Sequence, residues 1–325
     1  MNSSLEQLKL DDKILVTGAA GLLGQNLIYE LCSKGFNNIY AIDKNEHNLN
    51  ILQKQHEQIH CKCADLSEDI SDLQPYFEDV KCLFLLQAQI TGDHWDIFEK
   101  NTIISTKNVV AMAERTNIPF TVFVGSSVVN SVADDNYTRS KKEQEKIVQD
   151  SNLNHCVARP TLMFGWFDPK HFGWLSRFMA KVPVFPIPGS GKYMRQPLYV
   201  IDFCRVLIWC AINTPNNRII DIVGQEDITY IDIIKAIKKA KKLHTLIVKI
   251  PVPIFRFLMK LYALISKNPP FVADQLDALM AGDYFKGENM SNFGVTPTPF
   301  AKAIDLTFND PVNSKIVLER SNRYE

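Results

Sequence analysis

A chain of 325 residues with 36 Lys+Arg and 36 Asp+Glu has no surplus charge to hold a nucleic-acid backbone, and it is long enough for one large α/β domain with an attached lobe. The first thirteen residues, MNSSLEQLKLDDK, are polar and lack the apolar core of a secretory signal, so a cytoplasmic protein is expected. The seven cysteines follow no framework spacing and read as reduced thiols.

In chain order, the first half repeats one rhythm, a short apolar run followed by a turn and a helical pattern. Candidate strands are Ile14 to Thr17, Ile39 to Asp43, Ile59 to Ala64, Cys82 to Gln87, Thr121 to Gly125 and His155 to Arg159. Each is too apolar to leave one face in water. The intervening segments Leu22 to Ser33, Asp96 to Arg115 and Tyr137 to Gln149 carry apolar residues at three- and four-residue spacing, the pattern of helices packed on a sheet. Alternating strands and helices predict a parallel sheet covered on both sides.

From Gly165 to Pro197 the texture changes to Gly, Pro and aromatic residues, which predicts substrate-side loops and short helices. A strand from Ile219 to Val223 then returns to the sheet, followed by a Lys-rich helix from Tyr230 to Lys242. An apolar helix from Ile250 to Ile265, interrupted by Arg256 and Lys260, falls short of a bilayer span and is expected to pack on the protein rather than lie on a membrane surface. No transmembrane segment is expected. The fold class is α/β, a Rossmann-type doubly wound parallel sheet with a smaller C-terminal substrate lobe built from separated segments. Residues 11–165 with strand 218–224 form the dinucleotide-binding part, and 166–217 with 225–325 form the lobe.

Residues 13 to 24 read KILVTGAAGLLG, a buried strand running into three glycines at three-residue spacing and then into a helix. Gly18 permits a tight turn, Gly21 lets backbone approach a pyrophosphate, and Gly24 lets the helix pack closely. Asp43 ends the second strand 25 residues after Gly18, where a carboxylate meets the adenosine ribose hydroxyls. It would repel a 2′-phosphate, so NAD is expected over NADP, with Lys44 tempering the discrimination.

Tyr137-Thr-Arg-Ser-Lys141 opens a charged helix and places phenol and amine on one face. The ammonium would lower the tyrosine pKa towards a working acid/base, and a hydroxyl from Ser126-Ser127, at the carboxyl edge of the sheet, would polarise a C–O bond. Ser127, Tyr137 and Lys141 are the expected catalytic residues. His56, His60, Cys61 and Cys63 tempt a metal reading, but neighbours on a strand point to opposite faces, and no metal is expected. Gly189-Ser-Gly-Lys192 lacks the first glycine and the Ser/Thr of a phosphate loop and reads as a turn. The basic helix Ile234 to Lys242 reads as a solvated face, and His155 as a satisfied core residue.

The order TGAAGLLG, Asp43, Ala64-Asp65-Leu66, Asn101 with Thr106 and Asn108, Ser126-Ser127, YTRSKKEQE and ARPTLMFG resembles the extended short-chain dehydrogenase/reductase family, the NAD-dependent epimerases and dehydratases. The resemblance runs over most of the chain. It implies that Leu22 and Leu23 line the pyrophosphate loop, Asp65 and Leu66 contact adenine, Ala88 passes the dinucleotide bridge, and Pro160 and Leu162 face the nicotinamide. Tyr137 and Lys141 also hold cofactor in this pattern, and Arg195 is the implied clamp for a substrate phosphate or carboxylate. A homodimer is common in that family.

The sequence departs from the family at Gln87-Ala88-Gln89, at Val128-Val129-Asn130, and in the spacing of ten positions between Ser127 and Tyr137. Val128 and Val129 stand where dehydratases carry paired carboxylates. Epimerisation or simple oxidoreduction at a carbinol or ketone, with a nucleotide-sugar as the small-molecule substrate, is therefore expected before dehydration. The alternatives are a reductase or dehydrogenase of a non-sugar ketone or alcohol, and a dinucleotide-binding subunit without turnover.

Overall fold

The computed structural model describes residues 8–92, 94–131, 135–265 and 284–319. The polar N-terminal residues 1–7 and part of the 225–325 stretch assigned to the lobe lie outside them, as do 132–134 in the Ser127–Tyr137 connection.

Seven parallel strands form the central sheet: β1 (Ile14–Thr17), β2 (Ile39–Asp43), β3 (His60–Cys63), β4 (Cys82–Leu85), β5 (Phe120–Val124), β6 (His155–Pro160) and β7 (Arg218–Ile222). Their spatial order is β7-β6-β5-β4-β1-β2-β3, with Thr17 level with both Ile42 and Leu85 at the carboxyl edge. Strand order reverses between β1 and β4, and open α/β sheets bind ligands in the crevice at such a point.

Alternation along the strands explains why the sheet is buried twice over. Ile14 and Val16 enter one apolar core and Leu15 the other. Cys82 and Phe84 likewise divide from Leu83 and Leu85. The first core is closed by α1 (Leu22–Ser33), the second by α3 (Ser105–Arg115) through Val109, Val110, Met112 and Ala113. Leu27, Ile28 and Leu31 of α1 are fully covered, and each such side chain contributes about 1.5–3 kcal/mol of transfer free energy. The helix α2 (Glu46–Gln55) follows β2, and its Asn45 cap accepts the Asn48 amide at 2.8 Å.

Two expectations need correction. The third strand, His-Cys-Lys-Cys, is the edge of the sheet and largely exposed, because no strand among the described residues pairs beyond it. The single helix expected from Asp96 to Arg115 is a helical turn at Trp95–Phe98, a π-helical segment at Glu99–Ile104, and then α3. The π segment turns Asn101 and Thr102 inward, where the Asn101 amide donates to Gln89 Oε1 (3.0 Å) and the Thr102 hydroxyl accepts the Gln89 amide (2.9 Å).

After β6 the chain builds α5 (Phe172–Met179) and α6 (Val200–Asn213), and after β7 it builds α7 (Tyr230–Ala240), α8 (Val252–Ile265) and α9 (Phe300–Asn309). Short strands tie these stretches together, Val184–Pro188 pairing in parallel with Leu246–Ile250 and Met194–Arg195 antiparallel with Ile228–Thr229. All seven cysteines are free thiols. His155 is buried with its Nδ1 on the Leu153 carbonyl at 2.8 Å.

Candidate active site

The glycine loop shows three different uses of a missing side chain. Gly18 has φ +70°, and a Cβ there would stand 2.6 Å from the Gln87 backbone nitrogen. A Cβ on Gly24 would meet the Ala19 carbonyl oxygen at 2.4 Å. At Gly21 the nearest atom would be the Gly18 oxygen at 3.6 Å, so the space in front of it is open. Gly21 caps α1, and no side chain bonds to that helix end. Leu22 and Leu23 are the first helical residues. An uncapped helix start behind an open glycine is the cradle an anionic pyrophosphate needs, and the residues present fit a dinucleotide there.

Asp43 is bound into the same loop: one oxygen accepts the Ala20 amide at 3.0 Å and the other the Asn45 amide at 2.9 Å. Burial pushes its carboxyl pKa up, against those amides and nearby Lys44. Each oxygen retains acceptor capacity for a ribose hydroxyl. Lys44 is drawn aside, donating to Asn101 Oδ1 at 2.8 Å and lying 3.9 Å from Asp65. At Asp65, burial acts to raise the pKa, but bonds from the Ser67 hydroxyl and amide, with Lys44 and Lys100, hold it below the usual carboxylate value. The Leu66 side chain is buried in the second core, and Asn108 fixes the backbone there by donating to the Leu66 and Glu68 carbonyls.

Opposite the loop, α4 (Asn136–Gln149) is capped by Asp135, which accepts the Thr138 amide at 2.9 Å. Lys141, fully enclosed, donates to the Val124 carbonyl at the end of β5 (2.9 Å) and to Gln144 Oε1, and its Nζ sits 5.0 Å from the Phe123 ring centre. Desolvation pulls its pKa down to about 7, against the charge of Glu145. Gln144 in turn donates to the Gln87 carbonyl and to Thr106 Oγ1, both at 2.8 Å. Gln87 therefore joins the two halves of the site: its nitrogen abuts Gly18, its carbonyl holds Gln144, and its side-chain oxygen accepts the Thr17 hydroxyl at 2.6 Å. Its Nε2 is buried without a partner, a donor left over for an acceptor-rich ligand.

The geometry corrects two points about the tyrosine. Burial raises the Tyr137 pKa, and the group acting to lower it is the Ser126 hydroxyl rather than the Lys141 ammonium, whose proton donors are turned to Val124 and Gln144. Ser126, in extended conformation, caps the short 3-10 turn Ser127–Asn130. Ser127 is buried one residue further on, as the first residue of that turn. Ser126 is thus the phenol's hydroxyl neighbour, and Ser127, expected to polarise a substrate C–O bond, follows it in the chain. Gln144 also escaped the sequence reading, although its position three residues after Lys141 and seven after Tyr137 puts it on the same helical face.

The remaining expected residues take these places. Ala88 is half-buried in the loop after β4. Pro160 ends β6 level with Ile222 of β7, and Leu162, 36% exposed, gives its carbonyl to the Leu198 amide. Arg195 is half-buried on its short strand and acts on Tyr230, whose burial raises its pKa. Behind α4, Glu145 holds Arg159 through two bonds that couple the helix to β6. Among the described residues no cluster of three or more His, Cys, Asp or Glu is arranged to hold a metal.

Lys141 offers a test of this burial. An amine that loses its proton near pH 7 in the fold, but near 10.5 in the unfolded chain, makes the unfolded chain the better proton binder between those values. Its contribution therefore raises stability as pH rises through that window. Lys141→Met flattens the rise, checked by urea unfolding of both proteins at pH 7 and pH 9.5; parallel curves for the two would show the amine to be solvated.

A fold with a doubly wound parallel sheet, a three-glycine loop at its switch point and a Tyr-Lys helix beside it defines a nucleotide-dependent enzyme class. The model of the NAD dependent epimerase/dehydratase family matches residues 14–222, and the chain belongs to that family. Solved structures agree on the fold. They include MoeE5 in complex with UDP-glucose and NAD, 17% identical over 94% of this chain and 100% of that one, with TM-score 0.69. The UDP-glucose 4-epimerase of Thermotoga maritima is 18% identical over 91% of this chain and 97% of its own, TM-score 0.70. A UDP-N-acetylglucosamine 4-epimerase from Methanobrevibacter ruminantium, in complex with UDP-N-acetylmuramic acid, is 17% identical with the same coverage and TM-score 0.70.

Proposed function

We propose that the protein is an NAD-dependent epimerase acting at a carbinol carbon of a nucleotide-sugar, with Tyr137 as acid/base and Lys141 and a serine hydroxyl beside it. The observation that carries this reading is the bridge at Gln87, which couples the glycine loop and the Tyr137–Lys141 face across one residue at the switch point of the sheet. The neighbours solved with UDP-sugars add the substrate class.

Bound NAD would supply a hydride acceptor that returns the hydride to the same carbon. Gly21 and the start of α1 would hold its pyrophosphate, Asp43 its adenosine ribose, and Asp65 with the Leu66 backbone its adenine. Leu22, Leu23, Ala88, Pro160 and Leu162 would line the remainder. The Tyr137 phenolate takes the carbinol proton and later gives it back. Burial raises its pKa, so the phenolate needs help, which the Ser126 hydroxyl gives by donating to the oxygen. A Lys141 titrating near 7 is charged or neutral at little cost, so it can answer the charge on the phenol as a substrate excludes water. Arg195 and the stretches 166–217 and 225–325 form the substrate side.

Val128 and Val129, half-buried in the turn after Ser126, offer no carboxylate for eliminating water. The test is product analysis by NMR after incubation with NAD and UDP-glucose or UDP-N-acetylglucosamine. The expected product is the C4 epimer. A 4-keto-6-deoxy sugar would place the protein with the dehydratases, and unchanged substrate in every case would remove the nucleotide-sugar.

A further inference from the structure

Between Tyr230 and Ile265 the chain carries seven lysines and one arginine against a single acidic residue, Asp232, within a protein of zero net charge. Lys235, Lys238, Lys239 and Lys242 converge with His244 and Ile247 on an open groove of about 450 Å³. The strand that supplies Ile247, Leu246–Ile250, leads after one residue into α8. Its first residue, Leu246, is 59% exposed and pairs with Val184, itself 44% exposed. A five-residue strand covers roughly 16 Å, so the basic groove and the start of the helix are joined by one short strand.

The helix α8 has two apolar stripes. Val252, Phe255 and Met259, with Arg256, are half-buried against the protein. Ile254, Phe257, Leu258 and Leu261, at the i, i+3, i+4, i+7 spacing of a single helical face, are 51%, 65%, 44% and 46% exposed. The expectation that this helix simply packs on the protein therefore holds for one stripe only. A contiguous apolar stripe in a strongly basic segment is the composition of a helix lying in a membrane interface, and no helix among the described residues is long and apolar enough to cross a bilayer.

We propose that α7, the Leu246–Ile250 strand and α8 form a docking surface for an anionic lipid bilayer, with the outward stripe of α8 in the headgroup layer and the α7 lysines over acidic headgroups. The charge decides the occupant. Protein interfaces are depleted of lysine, and a second copy apposed on this face would bring two lysine groups together. A polyanion without an apolar phase would leave Phe257 and its neighbours in water.

The test is cosedimentation of the full chain with vesicles of phosphatidylcholine alone and of equal parts phosphatidylcholine and phosphatidylglycerol. Binding to the mixed vesicles only, weakened by salt, is expected. At about a factor of five per basic residue near an acidic surface, Lys238→Glu with Lys239→Glu lowers partitioning by at least about tenfold. Phe257→Ser with Leu258→Ser lowers it too, both pairs melting at the wild-type temperature. No binding to mixed vesicles, or equal binding to neutral ones, overturns the proposal. So does a concentration-dependent dimer in size-exclusion chromatography that Phe257→Ser dissolves, which assigns the face to a second copy.

Discussion

Tyr137→Phe lowers turnover by about 10²- to 10⁴-fold and leaves NAD affinity unchanged. The substitution removes one oxygen, and that oxygen's polar neighbour is the Ser126 hydroxyl, not Lys141. The amine keeps its bonds to Val124 and Gln144, so the Lys141–Gln144–Gln87 chain on which the site is built is untouched. The measurement is a steady-state rate beside a titration of the quenching of the protein's tryptophan fluorescence by NAD. The same geometry separates the two serines: Ser126→Ala costs more than Ser127→Ala, because only the former deprives the phenolate of a donor. Retained turnover in Tyr137→Phe would mean that the acid/base lies elsewhere, and NAD binding without turnover in the wild type would leave a dinucleotide-binding subunit.

How far the sequence reaches is best seen at individual residues. Strands β1 and β2 and helix α1 carry the boundaries expected from apolar runs and glycines, because local chemistry alone terminates them. The third strand was read as buried because strand order is a property of the whole sheet: His60 to Cys63 is long enough to pair and falls at the edge, which no local pattern records. The π segment at Glu99–Ile104 is bonded through its Asn101 and Thr102 side chains to Gln89 and Lys44, partners distant in the chain.

The serine is the finer case. Neighbouring residues at a strand end point to opposite sides, so a one-residue difference in where the chain leaves the sheet exchanges Ser126 for Ser127. Spacing identifies the pair, and only the turn that begins at Ser127 chooses the member. Gln144 was within reach, since helical periodicity places it with Tyr137 and Lys141. Its three polar contacts with Lys141, Gln87 and Thr106 come from helix, loop and a second helix, and give it a role that periodicity alone cannot assign.

Gly21→Ala and Gly24→Ala part the two things a glycine loop does. At Gly24 the added methyl would lie 2.4 Å from a backbone oxygen, and backbone on both sides of that contact belongs to the buried β1–α1 junction. Relief requires moving α1 off the sheet, and overpacking of this kind costs about 1–3 kcal/mol, a fall of several degrees in melting temperature. At Gly21 the methyl has only an ordinary contact at 3.6 Å, and φ −78° with ψ 175° is extended backbone open to any residue. That variant folds with the wild-type melting temperature. What the methyl does occupy is the space before the uncapped start of α1, where a pyrophosphate would come within hydrogen-bonding distance of the amides. Loss of one charge-assisted bond of about 1.5–3 kcal/mol corresponds to roughly 10- to 100-fold weaker NAD binding. Differential scanning fluorimetry with and without NAD reads both effects in one experiment, and wild-type affinity in Gly21→Ala would mean that the phosphates do not lie against this helix.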